Sequence, residues 1–434
     1  VTTPLNILLV SDVYPPVIGG AELQTQLLAK KLRERGNTVN VATTWQPGLN
    51  DRDDENGVTV HRVKGLSSLV PWFSTNPNRR LHPPMPDPAS VVGLRKVIKA
   101  VRPQVIHAYG WMIYSAAVAL TGTRIPLVIA MREYANSCAL RTMLYQKSRT
   151  CDGPALAKCY SCAIDFFGAP KGIAATTGVK LGRGLLRNRV RGIHNISEYM
   201  RFIAWRDIFS VDNPKGEVRM RRGNNIVADA IIPSFRDDAG ERARSDATRI
   251  AKYLDMLPEQ PFILFVGALR KVKGLDALLG AYAKLKPETR PPLVLFGVPS
   301  TDTPKVWPDG VQIISNVPHD AVMASWERAL FGVFPSLWAE PFGNVVHEAM
   351  SKGRPTIGTT PGGHTDMIVH GKTGYITQPG DSDDLAQAMQ SLIDSPALRE
   401  QMGVAARERA GLFSAEIVVP KFEQFFADVI EKSR

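Results

Sequence analysis

Short apolar runs and helical stripes alternate along most of the chain. Leu5-Asn6-Ile7-Leu8-Leu9-Val10 is a nearly unbroken apolar run, the pattern of a parallel strand covered on both faces. A helix is predicted next: Leu23, Leu27, Leu28 and Leu32 recur at helical spacing, Lys30, Lys31, Arg33 and Arg35 fill the last turns, and Gly36 suits a left-handed cap. Further strands are predicted at Val39–Ala42, Val58–Val63, Gln104–Ala108 and Leu127–Ala130. The pattern lapses in a polar segment around Ser234–Thr248 and restarts at Phe262-Ile263-Leu264-Phe265-Val266, a buried strand ending at Gly267. Strands at Leu293–Phe296, Val311–Ile314, Phe331–Phe334, Thr356–Ile357 and Gly374–Ile376 then alternate with helices at Leu275–Leu285, Asp320–Arg328, Val345–Lys352 and Asp384–Ile393. Two doubly wound α/β domains follow, residues 1–235 and 236–412, with a last helix over 413–434. In such sheets ligands sit beyond the carboxyl ends of the strands, so a cleft between the two domains is expected.

The 434 residues, 44% hydrophobic and 22% charged, exclude a disordered or fibrous chain. The net charge of +12 favours an anionic partner, and it is local: between Ala163 and Arg222 twelve Lys and Arg stand against five Asp and Glu. A basic face toward an anionic membrane surface and ordinary solvation both account for it. The longest nearly charge-free stretch, Ala108 to Thr123, is too short to span a bilayer, and the opening strand pattern is not that of a leader peptide. A cytoplasmic protein, possible membrane contact at its inner face aside, is therefore expected; no nucleic-acid motif accompanies the charge.

The richest local chemistry runs from Phe334 to Met350. Glu340 falls in a strand-to-helix turn, Pro341 suits a first helical turn, and the amides of Phe342, Gly343 and Asn344 are expected to point from the helix start toward an anion or sugar hydroxyls. Glu348 lies two turns on; two carboxylates at this spacing can accept hydrogen bonds from two ends of one nucleotide sugar. Helix-start electrostatics and a solvated face are the plainer alternatives. Arg270 and Lys273 follow a buried strand, where two cations can stabilise a leaving diphosphate. Gly19-Gly20 gives a flexible approach to a helix start.

These segments, in this order, resemble glycosyltransferase family 4, a retaining family of the GT-B fold, in which two Rossmann-like domains face each other across a cleft. The resemblance rests on Glu340 and Glu348 with Pro341-Phe342-Gly343 after the first, on Asn6 to Glu22 with Gly19-Gly20-Ala21-Glu22, on Val266-Gly267-Ala268-Leu269 with Lys273-Gly274-Leu275, and on His370-Gly371-Lys372-Thr373-Gly374-Tyr375. It implies a nucleoside diphosphate sugar as donor and a hydroxyl acceptor bound by the N-terminal domain, with no catalytic divalent cation. It further implies that Glu340 holds donor hydroxyls, Glu348 the ribose, Arg270 and Lys273 the diphosphate, and the backbone around Asn316-Val317 the base. The chain departs from the pattern at three places. Ala268 replaces an arginine; Tyr109 stands where a second histidine follows His107, the expected catalytic histidine; Arg132-Glu133 replaces His-Asp, which offers Arg132 to an anionic acceptor group or to a pair with Glu133.

Asp51-Arg52-Asp53 and Asp381-Ser382-Asp383 match a two-aspartate metal pattern, but the first is expected in a polar loop and the second at a helix N-terminus, so neither is assigned Mg²⁺. Cys138, Cys151, Cys159 and Cys162, with gaps of 12, 7 and 2 residues, are compatible with structural zinc, with free thiols, and less well with an iron–sulfur cluster. The leading expectation is a retaining hexosyltransferase; a nucleotide-sugar epimerase or hydrolase, and a metal- or redox-sensing binding protein, are the alternatives.

Overall fold

A computed structural model of the chain describes residues 3–17, 20–69, 80–146, 149–209, 225–237, 240 and 245–434. Gly19 and the basic residues Lys215, Arg219, Arg221 and Arg222 lie outside them. The chain divides into two compact units: Val1–Met143, Cys151–Ser234 and Ala415–Arg434 form unit 1, and Leu144–Thr150 with Phe235–Ser414 form unit 2.

Unit 1 contains β1 (Asn6–Ser11), α1 (Gly20–Glu34), β2 (Thr38–Thr44), β3 (Arg52–Glu55), β4 (Val58–Val63), α2 (Leu66–Leu69), α3 (Pro88–Val101), β5 (Val105–Ala108), α4 (Met112–Ala119) and β6 (Leu127–Met131). A short hairpin, β7 (Leu144–Tyr145) and β8 (Arg149–Thr150), precedes α5 (Leu156–Phe167), α6 (Ala169–Arg189), β9 (Val190–Asn195), α7 (Glu198–Ile203) and β10 (Ala228–Ile231). The sheet order is β10-β9-β6-β5-β1-β2-β4-β3, parallel except for β3 against β4. The apolar runs of β1 and β6 are buried, as expected with helices on both faces. Helix starts follow local chemistry: Asp87 accepts from the amides of Ala89 and Ser90 ahead of Pro88 at the first turn of α3. Gly36, at φ +93°, takes the left-handed conformation beyond α1.

Residues 52–55 are not the polar loop expected. They form an antiparallel edge strand whose polarity is used: the buried Arg62 of β4 pairs with Asp53, and Lys64 with Asp51 at 2.8 Å.

Unit 2 contains α8 (Ala247–Leu254), β11 (Phe262–Val266), α9 (Leu275–Ala283), β12 (Leu293–Phe296), β13 (Val311–Ile314), α10 (His319–Ser325), β14 (Ala329–Val333), α11 (Asn344–Ser351), β15 (Thr356–Thr359), α12 (His364–Met367), β16 (Gly374–Thr377), α13 (Ser382–Asp394) and α14 (Pro396–Ala410). Its all-parallel sheet runs β13-β12-β11-β14-β15-β16, a doubly wound order with its switch point between β11 and β14. Leu278 and Tyr282 of α9 and Met389 and Leu392 of α13 cover one face through Phe331 and Ile357. Asp381 caps α13 through the amides of Asp383 and Asp384, so its carboxylate serves the helix.

The last helix, α15 (Ala415–Lys432), belongs to unit 1. Its Glu423 is buried, bonded to Asn37 Nδ2 at 2.7 Å and paired with Arg35 at 2.8 Å. Phe422 and Phe426 cover His107 and His194, whose ring nitrogens meet at 2.9 Å. The hydrogen bonds fix the tautomers: His194 Nε2–H donates to Ile232 O at 2.8 Å, so its Nδ1 accepts from His107 Nε2–H. Burial holds His107 well below the ordinary histidine range and pushes His194 down to about 3.

Both rings stay neutral in the native state while their unfolded counterparts take up protons below about pH 6.5, so acid removes stability from unit 1. Each histidine contributes a loss of about 1.4 kcal/mol per pH unit. His194→Gln is expected to lower the slope of unfolding free energy between roughly pH 6 and pH 5 by about that amount, measured by urea titration at a series of pH values.

Candidate active site

At the switch point of unit 2, two loops leave adjacent strands. Gly267 to Lys273 follows β11, and Phe334 to Gly343 follows β14. Lys273 Nζ donates to Glu340 Oε1 at 2.5 Å, and Ser336 Oγ donates to the same oxygen at 2.7 Å. Among the described residues no hydrogen bond falls on Oε2. Burial pushes the Glu340 carboxyl up, but Lys273, His364 and the two hydrogen bonds outweigh it and hold the group below the usual carboxylate range. Lys273 also sits 4.8 Å from the centre of the Trp338 ring.

Glycines set this geometry by what they lack. Gly274, at φ +79°, has Pro335 O only 1.8 Å from where a Cβ would stand, so the two loops touch through backbone. Gly363 N donates to Glu340 O at 2.7 Å, and a Cβ there would meet Phe342 Cα at 2.5 Å. The turn Pro361-Gly362-Gly363-His364 thus cradles the Glu340 loop from below. His364 is buried against it; burial pushes its pKa down to about 4, and its Nδ1 accepts from Thr359 N at 3.2 Å.

The helix after Glu340 begins within one residue of the predicted Val345, but the loop before it is longer than a first-turn Pro341 requires. Gly343, at φ +100°, precedes α11, which begins at Asn344, so Pro341 lies in the loop and not in the first helical turn. Among the described residues the amides of Phe342, Gly343 and Asn344 meet no acceptor. The Phe342 side chain is buried, edge-on to Phe413 at 5.8 Å, and anchors the loop. Glu348 lies on α11, its Oε1 3.1 Å from His319 Nε2 and 3.9 Å from Arg236. Val317 follows β13 at the same edge of the sheet, beside Asn316, whose carbonyl accepts from Tyr253 OH at 3.2 Å. Arg270 stands apart from Glu340: it is 54% exposed and pairs with Asp302 at 3.4 Å.

Unit 1 gathers a second set of charges at the carboxyl ends of β1, β5 and β6. Asp12 caps α4 through Met112 N at 2.7 Å and pairs with Arg141 at 3.2 Å. Gly110, at φ +75°, leaves the space that this carboxylate fills. Arg141 also chelates Glu133 and lies 4.8 Å from the Trp111 ring centre. Arg132 therefore does not pair with Glu133. Its guanidinium is 8% exposed, bonds Ser234 Oγ at 3.4 Å, has no partner at Nε, and among the described residues has no carboxylate at ion-pair distance. Tyr109 lies just past β5, buried near Glu22, Thr25 and Arg132. His107 points elsewhere. It is 4% exposed, bonded to His194 and packed against Phe422 and Phe426. Gly20 opens α1.

The cysteines do not assemble as the metal reading requires. Among the described residues no three His, Cys, Asp or Glu side chains form a metal-ligating group, and the four half-buried cysteines form no disulfide. Cys151 Sγ donates toward Gly153 O at 3.4 Å, and burial raises the thiols of Cys138 and Cys159, which disfavours the thiolates a zinc or iron–sulfur site needs.

Sequence reasoning did not find Ser336, His364, the Gly362-Gly363 turn, Arg236, His319 or Arg141. The Pro-Gly-Gly-His run was a readable turn signal. The partners of Glu348 come from distant segments and left no local trace, whereas Arg141 stands only eight residues from Glu133.

Two doubly wound units, each with charged loops at its switch point, define the GT-B class of glycosyltransferases. Family models agree in each part of the chain: "Glycosyl transferases group 1" matches residues 248–409 and "Glycosyl transferase 4-like domain" matches residues 19–166. The chain belongs to glycosyltransferase family 4. It is 29% identical to N-acetyl-alpha-D-glucosaminyl L-malate synthase of Bacillus anthracis over 44% of this chain and 51% of that protein. It spans about half the length of the curated relatives it matches. Among solved structures, sucrose-phosphate synthase from Thermosynechococcus elongatus superposes with a TM-score of 0.68 at 17% identity, covering 97% of this chain and 98% of that one. Anabaena Alr3699/HepE in complex with UDP-glucose gives 0.64 at 17%, covering 97% and 99%. At these identities the likeness bears on the fold.

Two glycines separate conformational strain from close approach. Gly371, at φ +74°, has nothing within 4 Å of a Cβ position, so Gly371→Ala is expected to cost about 1–2 kcal/mol. Gly274→Ala meets Pro335 O as well and is expected to cost about 3 kcal/mol or more, read from denaturation midpoints of the two variants.

Proposed function

We propose that this chain is a retaining glycosyltransferase that moves a hexosyl group from a nucleoside diphosphate sugar to a hydroxyl of an acceptor bound by unit 1. The observation that carries the reading is the Lys273–Glu340 pair at the switch point of unit 2. Breaking a sugar–phosphate bond places charge on the leaving diphosphate, and Lys273, fixed between Glu340 and Trp338, is a preorganised cation for it. Arg270 supplies a second cation when it exchanges Asp302 for phosphate. Glu340 Oε2 is left to accept from donor hydroxyls, the unbonded amides of Phe342 to Asn344 face the sugar, Glu348 takes the ribose, and the Asn316-Val317 backbone takes the base. In this scheme the anomeric C–O bond to phosphate breaks while the acceptor oxygen bonds the same face. The acceptor proton passes to the leaving phosphate oxygen, so no protein nucleophile is required.

Arg132 narrows the acceptor. A buried guanidinium with one long hydrogen bond is costly unless an anion completes it, so an acceptor bearing a carboxylate or phosphate is favoured. The name of the Bacillus anthracis relative, with its L-malate, is consistent with such an acceptor. No described helix is long and apolar enough to cross a membrane.

A melting panel of UDP, GDP and ADP with their common sugars identifies the donor, because a ligand held only by the native state raises Tm. With that donor, Glu340→Gln is expected to lower kcat/KM by roughly 10- to 100-fold and Lys273→Ala kcat by roughly 100-fold. Wild-type turnover in Glu340→Gln, with the donor shift retained, refutes the site. For the acceptor, nucleotide release is compared for glycerol against glycerol 3-phosphate and glucose against glucose 6-phosphate. The anionic member of a pair is expected to be preferred, and Arg132→Gln to abolish the preference while leaving the donor-induced Tm shift unchanged.

A further inference from the structure

The α5–α6 hairpin carries more apolar surface than it buries. Of the twelve residues of α5 only Ala163 is buried, and Leu156 and Phe166 are 57% and 49% exposed. On α6, Ile173 and Leu181 are 48% and 69% exposed. Loose packing is not the cause. Gly172 lies against the backbone of Ala163 and Ile164 so closely that a Cβ would fall 2.6 Å from Ile164 N, and Tyr160 and Thr177 share a hydrogen bond of 2.8 Å. The two helices form a tight pair that still leaves large aliphatic and aromatic side chains of both exposed.

Charge selects the partner. The 21 residues of α6 include Lys171, Lys180, Arg183, Arg187 and Arg189 and no carboxylate. On α5 Lys158 and Asp165 balance. Lys171 and Lys180 are exposed; Ile173 and Lys180, seven residues apart, share one face of α6, and Lys171 lies in its first turn. Cations interleaved with exposed Phe, Ile and Leu on helices are what an anionic lipid surface takes up: the rings and branched chains enter the boundary of the acyl region while the ammonium groups stay at the headgroups. We infer that the α5–α6 hairpin docks unit 1 peripherally on an anionic bilayer surface, independently of sugar transfer.

The test is co-sedimentation of the full chain with vesicles of phosphatidylcholine alone or with about one-third phosphatidylglycerol. Wild type is expected to sediment with the anionic vesicles and not the neutral ones, and to be released at roughly 1 M salt, where the screening length falls to about 3 Å. Phe166→Ser with Ile173→Ser, and separately Lys171→Gln with Lys180→Gln, are each expected to lower partitioning at least about tenfold with circular dichroism and Tm unchanged. Equal binding to both vesicles, no binding by wild type, or folded variants that bind as wild type overturns the inference. So does a wild-type dimer in gel filtration that both variants convert to monomer, which assigns this face to a second copy.

Discussion

One ion pair in a confined place organises unit 2. Glu340 carries its charge in a side chain that is 13% exposed, and an isolated carboxylate there would protonate. Lys273 and Ser336 keep it ionised, and each is brought within reach by backbone rather than by side-chain flexibility. Gly274 lets the β11 loop touch Pro335, and Gly362 and Gly363 let the loop after β15 touch the chain around Glu340. The positions of the ammonium and the carboxylate are thus consequences of three strands ending side by side, which is why such a site belongs at a switch point.

Unit 1 solves a related problem differently. Asp12 and Glu133 share Arg141, and Asp12 is used again at the start of α4, so the cluster is cross-linked between the ends of β1 and β6. Arg132 is left outside this arrangement, buried and nearly without partners. Deeper in the same sheet the two histidines of β5 and β9 are kept neutral by phenylalanines of α15. Two residues apart, His107 on β5 packs against the last helix, and Tyr109 just past the strand lies among the charged groups at its end.

What was legible in the sequence depended on how local its cause is. Strands rich in apolar and β-branched residues are set by their own composition, so Val58–Val63, Phe262–Val266, Leu293–Phe296 and Val311–Ile314 are strands with the predicted bounds. Glu340 and Lys273 were each legible as chemistry at the end of an apolar strand, but their pairing was not, because the neighbourhood of β11 and β14 leaves no local signal. The edge strand over 52–55 was hidden because its side chains are nearly all polar, their partners lying on β4 and unseen in a local window. Strand β9 follows α6, whose sequence is basic and only weakly striped. The cysteine spacing left zinc and free thiols both open for the converse reason: spacing in sequence says nothing about whether a helix, a turn and an extended segment bring their sulfurs to one point.

The Phe342–Phe413 contact shows how a loop can be both ordered and chemically available. A loop of Pro, Phe and Gly has little side-chain polarity, so its hydrogen-bonding capacity is in its amides. If those amides were satisfied internally the loop would be stable and inert; if they were held by solvent alone it would be floppy. Burying the Phe342 ring against Phe413, with His347 packed on the same ring at 5.3 Å, fixes the backbone through apolar contacts that use no donor. Gly343, at φ +100°, turns the chain into α11 with His364 where a side chain would otherwise stand. Order comes from one side of the loop and chemistry from the other, so a residue whose side chain is wholly in the core still decides where three donors point.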